Sequence, residues 1–279
     1  MREQGADISR RVVRQLLKKY KYVKRKSQKQ RAGGSCKNRN EQFENIAQKV
    51  EAFKSQNDPV ISMDTKKKEL IGSYSRGNDA LYGTKPEVTN DHDFKTKDGL
   101  IGIPHGIYDE QHKHGQIMIG TSRDTSEFAC ASIRNWWYKI GCLLYPFALR
   151  LLILCDGGGS NNSRHYIFKE DLQKLAIEIG LDITIAHYPP YCSKWNPIEH
   201  RFFPHVSAAL RRGATINNIE QMAEKISRTK TKTGITVSVF IDKKEYKKGR
   251  KYSEGFKESN QIVFDKYLPK WNYTAKASP

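Results

Sequence analysis

The sequence lacks most of the devices that would explain it quickly. Its five cysteines, Cys36, Cys130, Cys142, Cys155 and Cys192, contain no C-x-x-C pair and are odd in number. That excludes a zinc knuckle and argues for reduced thiols. No apolar run approaches the ~20 residues that span a bilayer, and the basic N-terminus has no apolar stretch behind it, so neither a membrane segment nor a signal peptide is expected. Gly157 to Gly159 follow an apolar run, but without the G-K-[ST] of a P-loop or the third glycine of G-x-G-x-x-G, which speaks against nucleotide binding. Acids are scarce in two places. Residues 1–30 hold two against eleven Lys/Arg, and residues 228–251 hold two against nine, whereas 31–227 are near neutral with 23 against 25. The net charge of +19 therefore sits on two flanks of a balanced body. That distribution suits a polyanion held at specific places, most simply nucleic-acid phosphate; a solvated basic surface would give the same excess.

What is present is enough for a core, with 37% hydrophobic residues in 279. Ile8 to Tyr20 reads as a basic helix capped by Ser9, with Val12, Val13, Leu16 and Leu17 as its stripe. It is like the second helix of a helix-turn-helix whose partners would precede residue 1, which makes the motif incomplete; the other reading is a plain basic helix. Lys24 to Asn40 reads as a linker, and Glu41 to Ser55 as a helix with Phe43, Ile46, Val50 and Phe53 on one face. Val60 to Met63 is a strand ending at Asp64, and Ser73 to Asp98 a long loop. Leu100–Asp109 and Gln116–Ser122 form a hairpin. A helix capped by Asp124 and Glu127 runs to a stop at Gly141. Leu149 to Cys155 is a continuous apolar strand of the kind buried on both faces. A helix carrying Phe168, Leu172, Leu175 and Ile179 closes at Gly180, Leu181–Ala186 is a strand, and a helix follows Asn196-Pro197. From Thr215 a tail adds a helix, a strand at Ile235–Ile241 and the second basic flank.

In the last of these core helices Asn196 looks like an N-cap, Pro197 like the first helical residue and Glu199 like a capping-box partner. Phe202, Phe203, Val206 and Leu210 follow at the spacing of one apolar face, with Glu199 at its head. A carboxylate there is costly unless a cation meets it. The stretches I-S-M-D-T-K-K-K-E-L around Asp64, L-I-L-C-D-G-G-G-S-N around Asp156 and S-K-W-N-P-I-E-H around Glu199 resemble the three signature blocks of bacterial insertion-sequence DDE transposases. The group most similar is the ISAzo-thirteen-like one, distantly similar to the Tc/mariner type. The resemblance runs from about Arg39 to Tyr273.

It implies an α/β, ribonuclease H-like mixed sheet in the order β-β-β-α-β-α-β-α, with a basic helical N-terminal segment and a small α/β C-terminal tail. It also implies that Asp64, Asp156 and Glu199 are the catalytic and metal-binding carboxylates. Three carboxylates at one point repel, and a hard divalent cation with oxygen ligands, Mg²⁺ or Mn²⁺ in its place, would make the cluster stable. Singly, Asp64 reads as a strand end, Asp156 as a turn and Glu199 as a cap; together they favour the site.

Weaker candidates surround it. Lys66, Lys67 and Lys68 suit phosphate contacts or a solvated run. Ser193, Lys194 and Trp195 would help seat an unpaired nucleotide, although Trp195 is more often core. His200 would orient a ligand, touch DNA or simply pack. Asp91-His92-Asp93 resembles a metal triplet in an aperiodic loop. Arg10, Arg11, Arg14 and Lys18 would contact DNA from the first helix.

The expected divisions are 1–30, a partial helix-turn-helix segment; 31–57, linker and helix; 58–212, the catalytic domain; and 213–279, the basic C-terminal region. The expected function is cleavage of transposon ends and their joining to target DNA. The expected partners are double-stranded terminal repeats and target, without a membrane, and a homo-oligomer in the synapsed state. The expected location is the cytoplasm, on the nucleoid. The alternatives are a stand-alone nuclease of the same fold and a truncated or domesticated, non-catalytic DNA-binding protein.

Overall fold

A computed structural model of the chain describes residues 9–23, 36–74, 88–90, 99–158, 165–211, 215–232 and 234–278. Two compact units divide it, Met1–Ser35 and Cys36–Pro279. In the first, helix α1 (Arg10–Lys19) is capped as expected: the Ser9 hydroxyl accepts from the Val12 amide. Its stripe of Val12, Val13, Leu16 and Leu17 is exposed.

The second unit is built on a mixed sheet. Its centre is β1 (Val60–Thr65), flanked on one side by the antiparallel hairpin β3 (Ile101–Asp109) and β4 (His114–Gly120) and on the other by parallel β5 (Arg150–Cys155) and β6 (Asp182–His187). The spatial order β4-β3-β1-β5-β6 is the ribonuclease H-like order. A two-residue strand, β2 (Glu69–Leu70), pairs with β3 just beyond the lysines that end β1.

Alternation along these strands explains why both faces are covered. Ile61 and Met63 of β1, Ile107 of β3 and Leu151, Ile153 and Cys155 of β5 point to one face. There they pack under α3 (Ser126–Trp136) and α5 (Tyr166–Ile179), the latter closed by Gly180 at φ 70°. Val60, Leu152 and Leu154 point the other way, against α2 (Arg39–Lys54). On that second face Tyr108, Ile117 and Ile119 meet α6 (Phe203–Arg211) and α7 (Ile219–Ser227). A strand apolar on every residue is thus one with helices above and below it.

Several elements depart from expectation. The α3 cap is Thr125, whose hydroxyl accepts from Phe128 N; Asp124 instead accepts from the Thr65 hydroxyl at 3.3 Å. Gly141 does not stop that helix. The chain passes through it in a π-helical turn (Trp137–Gly141) into α4 (Cys142–Leu144), and a Cβ at Gly141 would lie 2.6 Å from the Trp137 ring, so this glycine serves packing.

The tail beyond residue 212 adds to the sheet at both edges. β7 (Thr236–Asp242) runs parallel to β4, and after the short α8 (Phe256–Ser259), β9 (Asn272–Ala275) pairs antiparallel with β6 and β8 (Ile262–Phe264) with β9. The boundary expected at 212/213 therefore falls inside one sheet. Much of the second basic flank is also matched by acids: Arg228 with Glu224, Lys243 with Glu220, Lys244 with Glu127, and Arg250 with Asp171.

Candidate active site

The register of the two central parallel strands sets the site. Val60 lies beside Leu152, Ile61 beside Ile153 and Ser62 beside Leu154, and the same offset carried two residues on puts Asp64 level with Asp156. Both carboxylates thus leave the carboxyl edge of the sheet on adjacent strands, where α/β sheets open their crevice.

Glu199 reaches them from a different element. The 3-10 turn Ser193–Trp195 leads to Pro197, which adopts helical backbone angles, and then to a π-helical turn, Ile198–Phe202, that runs into α6. The expected capping box is not formed. The Asn196 amide donates to Ser193 O, and the Asn196 side chain, wholly buried, donates to the carbonyl of Met63 at 3.1 Å. What reads locally as a cap is therefore a tether that fastens the start of this helix to the strand residue before Asp64. Phe202, Phe203, Val206 and Leu210 are all buried, as their spacing requires.

Two glycines of the hairpin make room for that helix. Gly106 pairs with Asp64 across the sheet, and a Cβ there would lie 2.5 Å from the Phe203 ring and 2.8 Å from Ile198; one at Gly115 would run into the Phe202 ring. Gly106→Ala must displace the Phe203 ring and Ile198, the side chains that seat the Glu199 helix on the sheet. We expect a loss of roughly 1–3 kcal/mol in chemical denaturation, and a strand-cleavage rate that falls further than the fraction unfolded accounts for. A variant as stable and active as the parent would mean the helix is not seated through this contact.

The electrostatics follow from the crowding. Asp64 is pushed up to about 9, first by burial, then by its side-chain hydrogen bond with Glu199 and by the charge of Asp156, against the opposing pull of the Thr65 amide. Asp156 is raised too, by burial and by Glu199, while the Gly158 amide pulls it down. Asp64 therefore keeps its proton at neutral pH, hydrogen-bonded to Glu199. Among the described residues no three His, Cys, Asp or Glu side chains are placed closely enough to hold a metal ion as they stand. The donor chemistry nevertheless fits a hard divalent ion, because three clustered carboxylates lose their mutual repulsion only to positive charge.

Behind Asp156 lies a buried polar network centred on His187. His187 Nδ1 lies 3.1 Å from the Asp156 carbonyl and 3.4 Å from Cys155 Sγ, and its Nε2 lies 3.3 Å from the Tyr273 hydroxyl. Gln42 of α2 donates to His187 O and bonds Asn272 of β9. Burial lowers His187 to about 4, so it is neutral at pH 7. A hydrophilic residue ending a strand was the one available hint.

The weaker candidates divide. Lys66 folds back on Glu69 at 2.7 Å, whereas Lys67 and Lys68 are exposed. Lys194 and His200 are exposed beside the Glu199 turn, and Ser193 is exposed as well. Trp195 is not core: it is 52% exposed, edge-on to Phe43, with Lys194 over its ring. Arg10, Arg11, Arg14 and Lys18 are exposed on α1 in the other unit. Asp91, His92 and Asp93 lie outside the described residues. No helix among those described is long and apolar enough to cross a membrane.

A ribonuclease H-like sheet with acidic side chains converging on its carboxyl edge defines a class of α/β proteins. Within that class this chain belongs to the family described as the Rhodopirellula transposase DDE domain, which matches residues 1–277. Solved structures similar to it include the Mos1 mariner paired end complex with Mg (TM-score 0.49, 11% identity, 78% of this chain and 61% of that one). The Mos1 strand transfer complex (0.46, 12%, 78% and 61%) and a pre-cleavage Mos1 transpososome (0.46, 11%, 75% and 59%) are similar to it as well. The chain spans about three-fifths of the length of those proteins. A comparison with curated proteins found no match.

Proposed function

We propose that this chain is a DNA transposase that cleaves the ends of a mobile element and joins them to target DNA, with Asp64, Asp156 and Glu199 as its catalytic carboxylates. The observation that carries the reading is the convergence of three acids from distant segments: two on adjacent parallel strands, the third hydrogen-bonded to the first. Membership of a transposase family supports it. These side chains would hold Mg²⁺, or Mn²⁺ in its place. When bound, such ions supply activation of the attacking oxygen and neutralisation of charge at the phosphodiester. The chain's own part is placement. Asn196 fixes the helix that carries Glu199, the Thr65 amide orients Asp64, and the Gly158 amide orients Asp156. Lys67 and Lys68, exposed three and four residues beyond Asp64, are suited to phosphate contacts, as are Lys194 and His200 beside the third acid. The exposed basic helix α1, with Arg10, Arg11, Arg14 and Lys18, adds DNA contacts of its own. Two ends held together would require a homo-oligomer, and the place of work would be the nucleoid in the cytoplasm.

The test is a joining assay. Purified chain, Mg²⁺, labelled duplexes carrying the terminal repeats that flank its own coding sequence and a supercoiled plasmid should give cut ends and a labelled plasmid product. Cut ends without joining would reduce the protein to a nuclease; bound but uncut DNA would reduce it to a DNA-binding protein.

A further inference from the structure

Beside Asp156 the structure holds a cavity of about 340 Å³ that the carboxylate chemistry does not use. Asp156 and the two glycines after it form one wall. Tyr188, Trp271 and the Pro189-Pro190 pair form the apolar part, and Tyr191, Ser193 and Lys270 stand at the opening. We infer that this cavity seats one unpaired nucleotide of the DNA strand whose phosphate lies at the carboxylates. The inference rests on the reading of Asp156 proposed above and names the substrate feature that site takes.

Size comes first. Ligand cavities run from about 300 to 1,000 Å³, so this one has room for a single base and its sugar and none for a base pair. Chemistry comes second. Aromatic rings beside a cation are what a single-stranded base and its phosphate call for, since every base offers a face to stack and every linkage a charge. Here Tyr188 and Trp271 are nearly buried, Tyr191 is 75% exposed at the mouth, and Lys270 is exposed with its ammonium 6.0 Å from the Trp271 ring centre. A free anion is disfavoured by the carboxylate wall, whereas a nucleotide continuous with the strand at Asp156 sends its uncharged base past that wall.

The cavity is also built rather than incidental. The Trp271 carbonyl accepts from His187 N at 2.9 Å, the Tyr188 amide donates to Cys155 O at 2.8 Å, and Asn272 is held by Gln42, so the floor is locked to the strand that carries Asp156. Tyr191 has φ 62°. A bulky aromatic in the left-handed region is strained, and such strain concentrates at ligand clamps. The loop from Tyr188 to Ser193 then runs directly into the turn that carries Glu199, so filling the cavity and ordering the third carboxylate involve the same segment.

The experiment uses the full chain and duplexes of one sequence in three forms: blunt, with a single unpaired 2-aminopurine at the 3′ end, and with the same base as a bulge at the centre. The end probe stands for the element's own cut strand and the bulge for distorted target. Binding should quench whichever probe enters, and affinity for that form should exceed the blunt duplex by roughly 5- to 100-fold, the worth of one stacked base. Tyr191→Asn keeps a residue that tolerates this backbone and removes the ring; Lys270→Ala removes the cation. Each should bring the affinity ratio towards one with the melting temperature unchanged. Equal binding of all three forms by the parent chain, or a ratio that survives both substitutions, overturns the inference. Normal cleavage together with equal binding would sink the cavity's role alone. Cleavage that survives Asp156→Asn beside an intact ratio would sink the catalytic reading and leave the cavity standing.

Discussion

Asp156→Asn should leave the chain able to bind DNA and unable to cut it, with strand cleavage in Mg²⁺ reduced at least about a thousandfold. The substitution is nearly isosteric, and Asn can accept the Gly158 amide as Asp156 does. Strand β5 is buried from Leu151 to Cys155, so its packing has no reason to change. What is lost is one negative oxygen at the carboxyl edge, beside Asp64 in the parallel register. A loss of several kcal/mol of charge stabilisation at the phosphate corresponds to that factor, at about 1.4 kcal/mol per decade. DNA affinity should hold or rise, because an acid facing phosphate has been removed. Glu199→Gln should behave alike, since Glu199 is hydrogen-bonded to Asp64. The measurement is single-turnover cleavage of a labelled terminal duplex, with gel-shift affinity in parallel. Cleavage within tenfold of the parent would remove Asp156 from the reaction and with it the proposed centre.

How far the sequence could be read depends on whether the cause was local. The run Leu151 to Cys155 announces a strand covered on both faces because five consecutive apolar side chains must all be buried. Gly180 announces a helix end because only the left-handed region turns the chain there. Asp64 and Asp156 stand at the ends of strands and Glu199 at the start of a helix, as their local patterns say, but only the resemblance of the three blocks groups them as one site. Local rules failed where tertiary bonds took over. Asn196 followed by Pro197 has every feature of a cap, yet its side chain goes to Met63 O, 133 residues away. Gly141 has the look of a helix stop, but two tryptophans crowd it and the chain continues.

The edges of the sheet were least legible. Nothing in Thr236–Asp242 says that it lies parallel to β4, and nothing in Asn272–Ala275 says that it closes the other side against β6. Such pairings are chosen by burial across the whole molecule, and strands of four to seven residues carry no mark of their partner. The cavity beside Asp156 was hidden for the same reason. Trp271 and Lys270 reach it only because β9 pairs with β6, and Gln42 secures that pairing from the other end of the unit.

Asp64→Asn should make the cation-free protein more stable near pH 7, an unusual direction for a substitution at a half-buried position. Burial, the Glu199 hydrogen bond and the Asp156 charge raise Asp64 to about 9, while in the unfolded chain it returns to the ordinary range near 4. Between those values the folded chain keeps a proton that the unfolded chain has released. Stability is therefore full below about pH 4 and declines as pH rises towards 9. The amide is neutral throughout. It can accept from the Thr65 amide and donate to Glu199, so it keeps both bonds without that cost. At pH 7 the gain is on the order of 2–4 kcal/mol, and at pH 4 it should vanish. A divalent ion would relieve the same strain in the parent chain by binding the ionised form, so Mg²⁺ should raise the parent's melting temperature with concentration and the variant's much less. Thermal denaturation of both chains at pH 4 and pH 7, with chelator and with Mg²⁺, reads all four quantities. A variant less stable than the parent at pH 7, or one that Mg²⁺ stabilises equally, would mean the acids are not crowded around an ion site. A fold that gives up stability to hold like charges together is what phosphodiester chemistry asks of such a centre.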